Sequence, residues 1–104
     1  MSNTPLAVPH YAFVVSEFSD HQLTAWLSLL TPKNLNLIIE ITHNILYNND
    51  LKLTPEHKKS LSKFVDIYKS IDCKSVKNHT KYIIVQKNPK AVKLLFDVIK
   101  NIYG

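Results

Sequence analysis

The one glycine in this chain is Gly104. Every internal turn must therefore be made without the residue that most easily takes a positive φ, on which tight hairpins and bulges depend. That disfavours a sheet-rich fold and favours helices joined by short polar turns. A recurring pair adds a second constraint. Thr31-Pro32, Thr54-Pro55 and Asn88-Pro89 each set a capping residue before a proline. The capping oxygen accepts a bond from an orphan N–H of the first turn, and proline at the first helical position has no N–H to leave unsatisfied. Each pair predicts a helix start.

Hydrophobic spacing fills in the helices. Ser19 or Asp20 is placed to cap a helix through about Leu30, with Leu23, Trp26, Leu27 and Leu30 at i, i+3, i+4 and i+7. The helix after Pro32 runs to about Tyr47. Its apolar arc of Leu35, Leu37, Ile38, Ile39, Ile41, Ile45 and Leu46 is wide enough to make it the central, most buried helix. Asn48-Asn49-Asp50 ends it in a turn. After Pro55, Leu61, Phe64, Val65, Tyr68 and Ile71 share one face while Lys58, Lys59, Lys63 and Lys69 point away, up to a break near Asp72.

Residues 74–86 suit a helix with Val76, Ile83 and Ile84 inward and Lys74, Lys77 and Lys81 along one stripe. The run Tyr82-Ile83-Ile84-Val85 alone also suits a short strand. The last helix, from Pro89, buries Val92, Leu95, Phe96, Ile99 and Ile102, with Lys93 and Asp97 paired on its outer face. Upstream, Pro5 and Pro9 oppose a helix, so residues 1–18 are expected to form an extended N-terminal arm. The expected fold is all-α: a compact bundle of about five short helices, forming a single domain over residues 19–104.

Charge is distributed unevenly. Residues 1–51 carry one Lys against four acids, a net of −3; residues 52–104 carry twelve Lys against four acids, a net of +8. Such asymmetry points to a polyanionic partner, or to an acidic half that meets the basic half of another copy. All thirteen basic residues are Lys. Bidentate readout of guanine by Arg is therefore excluded, and nucleic-acid binding would be mainly electrostatic. An AT-rich coding sequence, which also favours Asn and Ile, explains the same lysines without any function.

Catalytic signatures are missing. The five His, at positions 10, 21, 43, 57 and 79, form no metal-ligand spacing with each other or with Cys73. No glycine-rich loop is available to cradle a phosphate, and no two carboxylates suggest an acid/base pair. Cys73 cannot form an internal disulfide, and Lys74 beside it favours a mildly lowered thiol pKa. No enzyme activity, cofactor or metal is expected. Neither a signal peptide nor an apolar run of membrane-spanning length is evident, so the expected location is the cytosol, the nucleus or the inside of a particle, with no secretion.

From about Leu35 to Tyr103 the chain resembles a family of small basic proteins encoded by Maverick/Polinton-type DNA transposons and adintovirus-like elements. The resemblance is carried by Asn44-Ile45-Leu46-Tyr47, a short polar turn, Leu53-Thr54-Pro55 and a basic helix with Lys58-Lys59 and Leu61. It continues in Cys73-Lys74-Ser75-Val76, Lys81 and Ile84-Val85-Gln86 before a final apolar helix. It implies a particle-core or minor capsid component. This chain departs from the family where members are Arg-rich, having only Lys74, Lys77 and Lys81 there. It also has Lys87-Asn88-Pro89 where members commonly show a Gly-Gly pair.

Three functional expectations result. The first is a non-enzymatic virus- or transposon-encoded protein that binds nucleic-acid backbone through Lys74, Lys77 and Lys81, supported by Lys58, Lys59, Lys63, Lys87 and Lys90. The second is an assembly module in which the acidic first half and basic second half of neighbouring copies meet, or in which the arm, through Tyr11, Phe13 and Val14, docks on a capsid or host protein. The third is a helix-turn-helix regulator with residues 74–86 as recognition helix, in which Asn78 and Gln86 would read adenine.

Overall fold

Side-chain caps open three of the helices. Ser19 Oγ accepts the Gln22 N–H at 3.2 Å, while Gln22 Oε1 accepts the Ser19 N–H at 2.9 Å, satisfying two orphan donors reciprocally. Thr31 Oγ1 accepts the Asn34 N–H at 3.2 Å and Thr54 Oγ1 accepts the His57 N–H at 3.1 Å, each just before proline. Asn88 departs from expectation. Its side-chain amide donates back to the Ile84 carbonyl at 2.7 Å and so closes the preceding helix, although Pro89 still opens the next.

The computed structural model describes residues 10–48 and 51–103. In chain order the helices are α1 (His10–Ser16), α2 (Asp20–Ser28), α3 (Pro32–Tyr47), α4 (Pro55–Ser62), α5 (Val65–Asp72), α6 (Asn78–Lys87) and α7 (Pro89–Tyr103). The fold is all-α, with seven helices and no strand among the described residues, where about five were expected.

Two corrections account for the difference. The first is α1, which stands where an extended arm was expected. Proline obstructs a helix at its own position and just before it, and leaves the residues after it free. Val15 is buried in the core, so this segment belongs to the bundle. Residues 1–9, the rest of the expected arm, lie outside the described residues.

The second correction is a break in what reads as one helix after Pro55. The Lys63 N–H reaches the Ser60 carbonyl at 3.3 Å and the Phe64 N–H the Leu61 carbonyl at 3.0 Å, a tightened turn. The Tyr68 N–H then bonds the Phe64 carbonyl at 3.0 Å and the helix resumes. Packing explains the break: α4 lies against α7, whereas α5 lies against α3 and α6. A straight helix would follow only one of these directions.

α7 is the hub of the core, not α3 as expected. It packs on α1, α2, α3, α4 and α6. Its buried residues Ala91, Val92, Leu95, Phe96, Val98 and Ile99 occupy more than one face, and Ala91 lets a neighbour approach closely. α3 buries as many, Leu35, Leu37, Ile38, Ile41, Thr42 and Ile45, and keeps Asn36, Glu40 and His43 exposed, but its main neighbours are α5 and α7. Trp26 meets Phe96 edge-on at 5.9 Å, and the Tyr68 hydroxyl donates to the Ala91 carbonyl at 2.8 Å. In α6 the inward positions are Lys81 and Val85, and Ile83 is exposed, so the expected face is displaced.

Polar bonds fix α1 to this hub. The Lys93 ammonium donates to the Ser16 carbonyl at 2.9 Å and the Phe18 carbonyl at 3.2 Å. A cation at the end of a helix satisfies carbonyls that have no partner within it. Lys100 pairs with Glu17 alongside. Lys93 also lies 4.0 Å from Asp97, as the spacing predicts, but half-buried against α1 instead of on an outer face.

Candidate nucleic-acid interface

The fold divides the expected lysine field into two groups. Lys58 and Lys59 are exposed on α4, and Lys63 is exposed in the turn that follows it. Lys87 ends α6 and Lys90 lies in the first turn of α7, both exposed. Lys63 and Lys90 come together on one groove of about 350 Å³, lined also by Ser60, Phe64, Lys93, Leu94 and Asp97. Lys90 borders a smaller recess of about 150 Å³ with Asp20, Leu23, Thr24, Pro89 and Lys93. Burial pushes the Asp97 carboxyl above its ordinary value, with Lys93 opposing the shift.

The second group is Lys74, Lys77 and Lys81. These were expected along one helical stripe, but α6 begins only at Asn78. Lys74 lies in a turn closed by the Val76 N–H on the Cys73 carbonyl at 3.1 Å, and Lys77 is the residue before the helix. Lys74 and Lys77 are exposed. Lys81 is only 5% exposed, so it is not the leading surface contact that its spacing suggested. The ten residues of α6 rise about 15 Å at 1.5 Å each. Lys77 and Lys87 therefore stand at opposite ends of one helix and do not share a cluster.

Other expected residues find structural roles. The Gln86 side chain, though exposed, donates to the Leu27 carbonyl at 2.9 Å. Asn78 is exposed at the start of α6. Among the arm residues Phe13 is half-buried and Val14 is 49% exposed, while the Tyr11 side chain lies outside the described residues. His43 is exposed on α3, with Nδ1 3.0 Å from Asp72 Oδ1 and its ring 5.2 Å from that of Tyr47. Among the described residues no group of three or more His, Cys, Asp and Glu is placed to hold a metal ion, and no helix is long and apolar enough to cross a membrane.

Cys73 has a more specific environment than its neighbour Lys74 suggested. Its thiol is exposed, and Sγ lies 3.0 Å from Ser75 Oγ. The Ser75 hydroxyl first, then the Ser75 and Val76 backbone N–H groups and Lys81, hold the thiol below its ordinary value. Sequence reasoning missed Ser60, Ser75 and Lys93. The lysine Lys93 was visible as half of an i, i+4 pair, but its carbonyl partners lie more than seventy residues away in sequence.

Apolar surface is also present. A shallow groove of about 300 Å³ runs between Ile45, Leu46, Leu53, Leu61, Val65 and Tyr68, with Lys58 and Ser62 at its edge. Leu29 is 80% exposed, and Tyr47 and Ile83 are exposed too. Compared with protein-family models, with curated proteins and with solved structures, the chain matches none.

Proposed function

We propose that this protein is a non-enzymatic, virus- or transposon-encoded particle component that binds nucleic-acid backbone through its basic second half. The observation that carries the reading is the convergence of Lys63 and Lys90, distant in sequence, on one groove. Lys58 and Lys59 are also exposed on α4, and Lys87 at the end of α6. The family resemblance of residues 35–103 agrees with it. Binding of this kind neutralises phosphates and releases counterions, so it is independent of sequence and falls steeply with salt.

Fluorescence anisotropy with a random duplex over a salt series tests the proposal. Five lysines in contact give a log–log salt slope of about −4.5, so a fourfold rise in salt weakens binding about 500-fold. The Lys63→Met/Lys90→Met variant loses two contacts, and its slope is expected to be shallower by about 1.8. Absence of binding at low salt, or an unchanged slope in the variant, refutes this interface.

An assembly role is the second reading, favoured by the apolar groove around Leu46, Leu53 and Val65 and by the exposure of Tyr47. It requires a concentration-dependent dimer or larger species in sedimentation, and a persistent monomer rules it out.

A further inference from the structure

Two helical stripes line the groove that holds Lys63 and Lys90. Ser60, Lys63 and Phe64 recur at i, i+3 and i+4 through the end of α4 and the turn after it. Lys90, Lys93, Leu94 and Asp97 recur at i, i+3, i+4 and i+7 along α7. Burial divides this lining into two layers. Lys63 and Lys90 are exposed, whereas Phe64, Lys93, Leu94 and Asp97 are half-buried. The two exposed cations form a rim, and the floor holds an aromatic ring, an aliphatic side chain and a pair of opposite charges.

That floor does not suit a phosphate. The Lys93 ammonium is held by the Ser16 and Phe18 carbonyls, and Asp97 Oδ1 lies 4.0 Å from it. Their charges offset each other, and the carboxylate would repel a phosphate drawn in past the rim. A flat, neutral group with N–H donors fits better. Phe64 offers aromatic surface and is braced from behind, its ring tilted 63° against that of buried Tyr68 with centroids 6.2 Å apart. Leu94 adds apolar surface, and Asp97, with 43% of its side chain exposed, can accept from N–H groups. Lys90 and Asp97 stand seven residues apart on α7, about 10 Å along its axis, so cation and acceptor occupy opposite ends of the groove. A nucleotide has the same polarity, with phosphate at one end and a flat base edged by N–H donors at the other.

We propose that the groove between α4 and α7 seats one nucleotide of a single strand. Its base lies against Phe64 and Leu94 with N–H groups toward Asp97, and its flanking phosphates rest on Lys63 and Lys90. The proposal deepens the backbone-binding reading and rests on it for the phosphate contacts. A duplex keeps its bases paired and stacked inside the helix, so the contacts with Phe64 and Asp97 are open to an unpaired strand alone.

The test is fluorescence anisotropy of the full chain at one salt concentration with three probes. These are an oligothymidylate of about twelve nucleotides, an abasic strand with the same phosphates, and a mixed-sequence duplex. Oligothymidylate is expected to bind about tenfold more tightly than the abasic strand, the gain from stacking one base. The Phe64 ring and Leu94 methyl resonances should move upfield as it saturates the protein, and stay in place with the abasic strand. Lys63→Met/Lys90→Met should weaken both strands alike. Phe64→Leu keeps an apolar side chain and should erase the tenfold advantage, whereas Phe64→Trp should preserve it, which separates stacking from mere packing. Equal affinity for the two strands, unmoved Phe64 and Leu94 signals, or an advantage that survives Phe64→Leu would overturn the seat. Salt-dependent binding of the duplex in that case would leave the backbone reading standing without it. Binding of oligothymidylate with none of the duplex or the abasic strand would reject the backbone reading and retain the seat.

Discussion

Lys93→Met separates a lysine that holds the fold from those proposed to bind. The substitution keeps most of the aliphatic stem and removes the ammonium that donates to the Ser16 and Phe18 carbonyls. Hydrogen bonds to a charged donor contribute about 1.5–3 kcal/mol each. The side chain is 30% exposed, so water replaces part of what is lost. The lower end of the range then applies to the pair jointly, about 2 kcal/mol. In a domain of this size each kcal/mol moves Tm by about 4–8 °C, so a fall of about 8–16 °C is expected by circular dichroism. The loss should be local at first, with amide exchange in α1 accelerating more than in α3. The salt slope of duplex binding should not change, because this ammonium is already engaged. An unaltered Tm with α1 equally protected would refute the clamp, and a shallower salt slope would return Lys93 to the binding face.

Three further outcomes are expected. Tyr68→Phe removes the hydroxyl bonded to Ala91 but keeps the buried ring. It should cost about 1 kcal/mol in chemical denaturation, against about 3–5 for Tyr68→Ala, and equal losses would dismiss the packing role of the ring. The Cys73 thiol should be alkylated at lower pH than the same thiol in the unfolded chain, with Ser75→Ala reversing more of the difference than Lys81→Met; coincident profiles would contradict the environment described. Asp97, whose carboxyl is raised by burial, binds its proton more tightly when folded, so its ionised form costs stability at neutral pH. Asp97→Asn should therefore stabilise the protein at neutral pH. The gain should vanish as pH falls below the ordinary carboxylate value, and a gain that persists there would exclude this cause.

Much of the fold was legible because it is specified locally. Thr31-Pro32 and Thr54-Pro55 fix helix starts through bonds to residues three positions ahead, which spacing alone reveals. The faces of α2 and α7 were legible for the same reason: Leu23, Leu27, Val92, Leu95, Phe96 and Ile99 recur at helical intervals and are buried. What escaped depends on distant partners. The bend at Lys63-Phe64 carries no proline or glycine and arises because α4 and α5 follow different neighbours. Lys81 reads as a surface charge until the packing of α6 encloses its stem. Gln86 reads as a free amide until Leu27 is brought opposite. The two ends of the lysine field could not be told apart before the start of α6 was known.

The position of the hub in the chain has a consequence for synthesis. α1 finds its main support on α7, some eighty residues further along, and α2, α3, α4 and α6 also pack against α7. While the ribosome is still making the chain, those helices can close only the contacts among themselves, such as α3 with α5 and α2 with α6. Their apolar faces remain open until Pro89–Tyr103 has emerged. Final closure is therefore a late, long-range event that pays loop entropy before it gains core contacts. Nascent chains stalled before α7 should be sticky, collapsed and readily degraded, and those released just after it should become compact in one cooperative step.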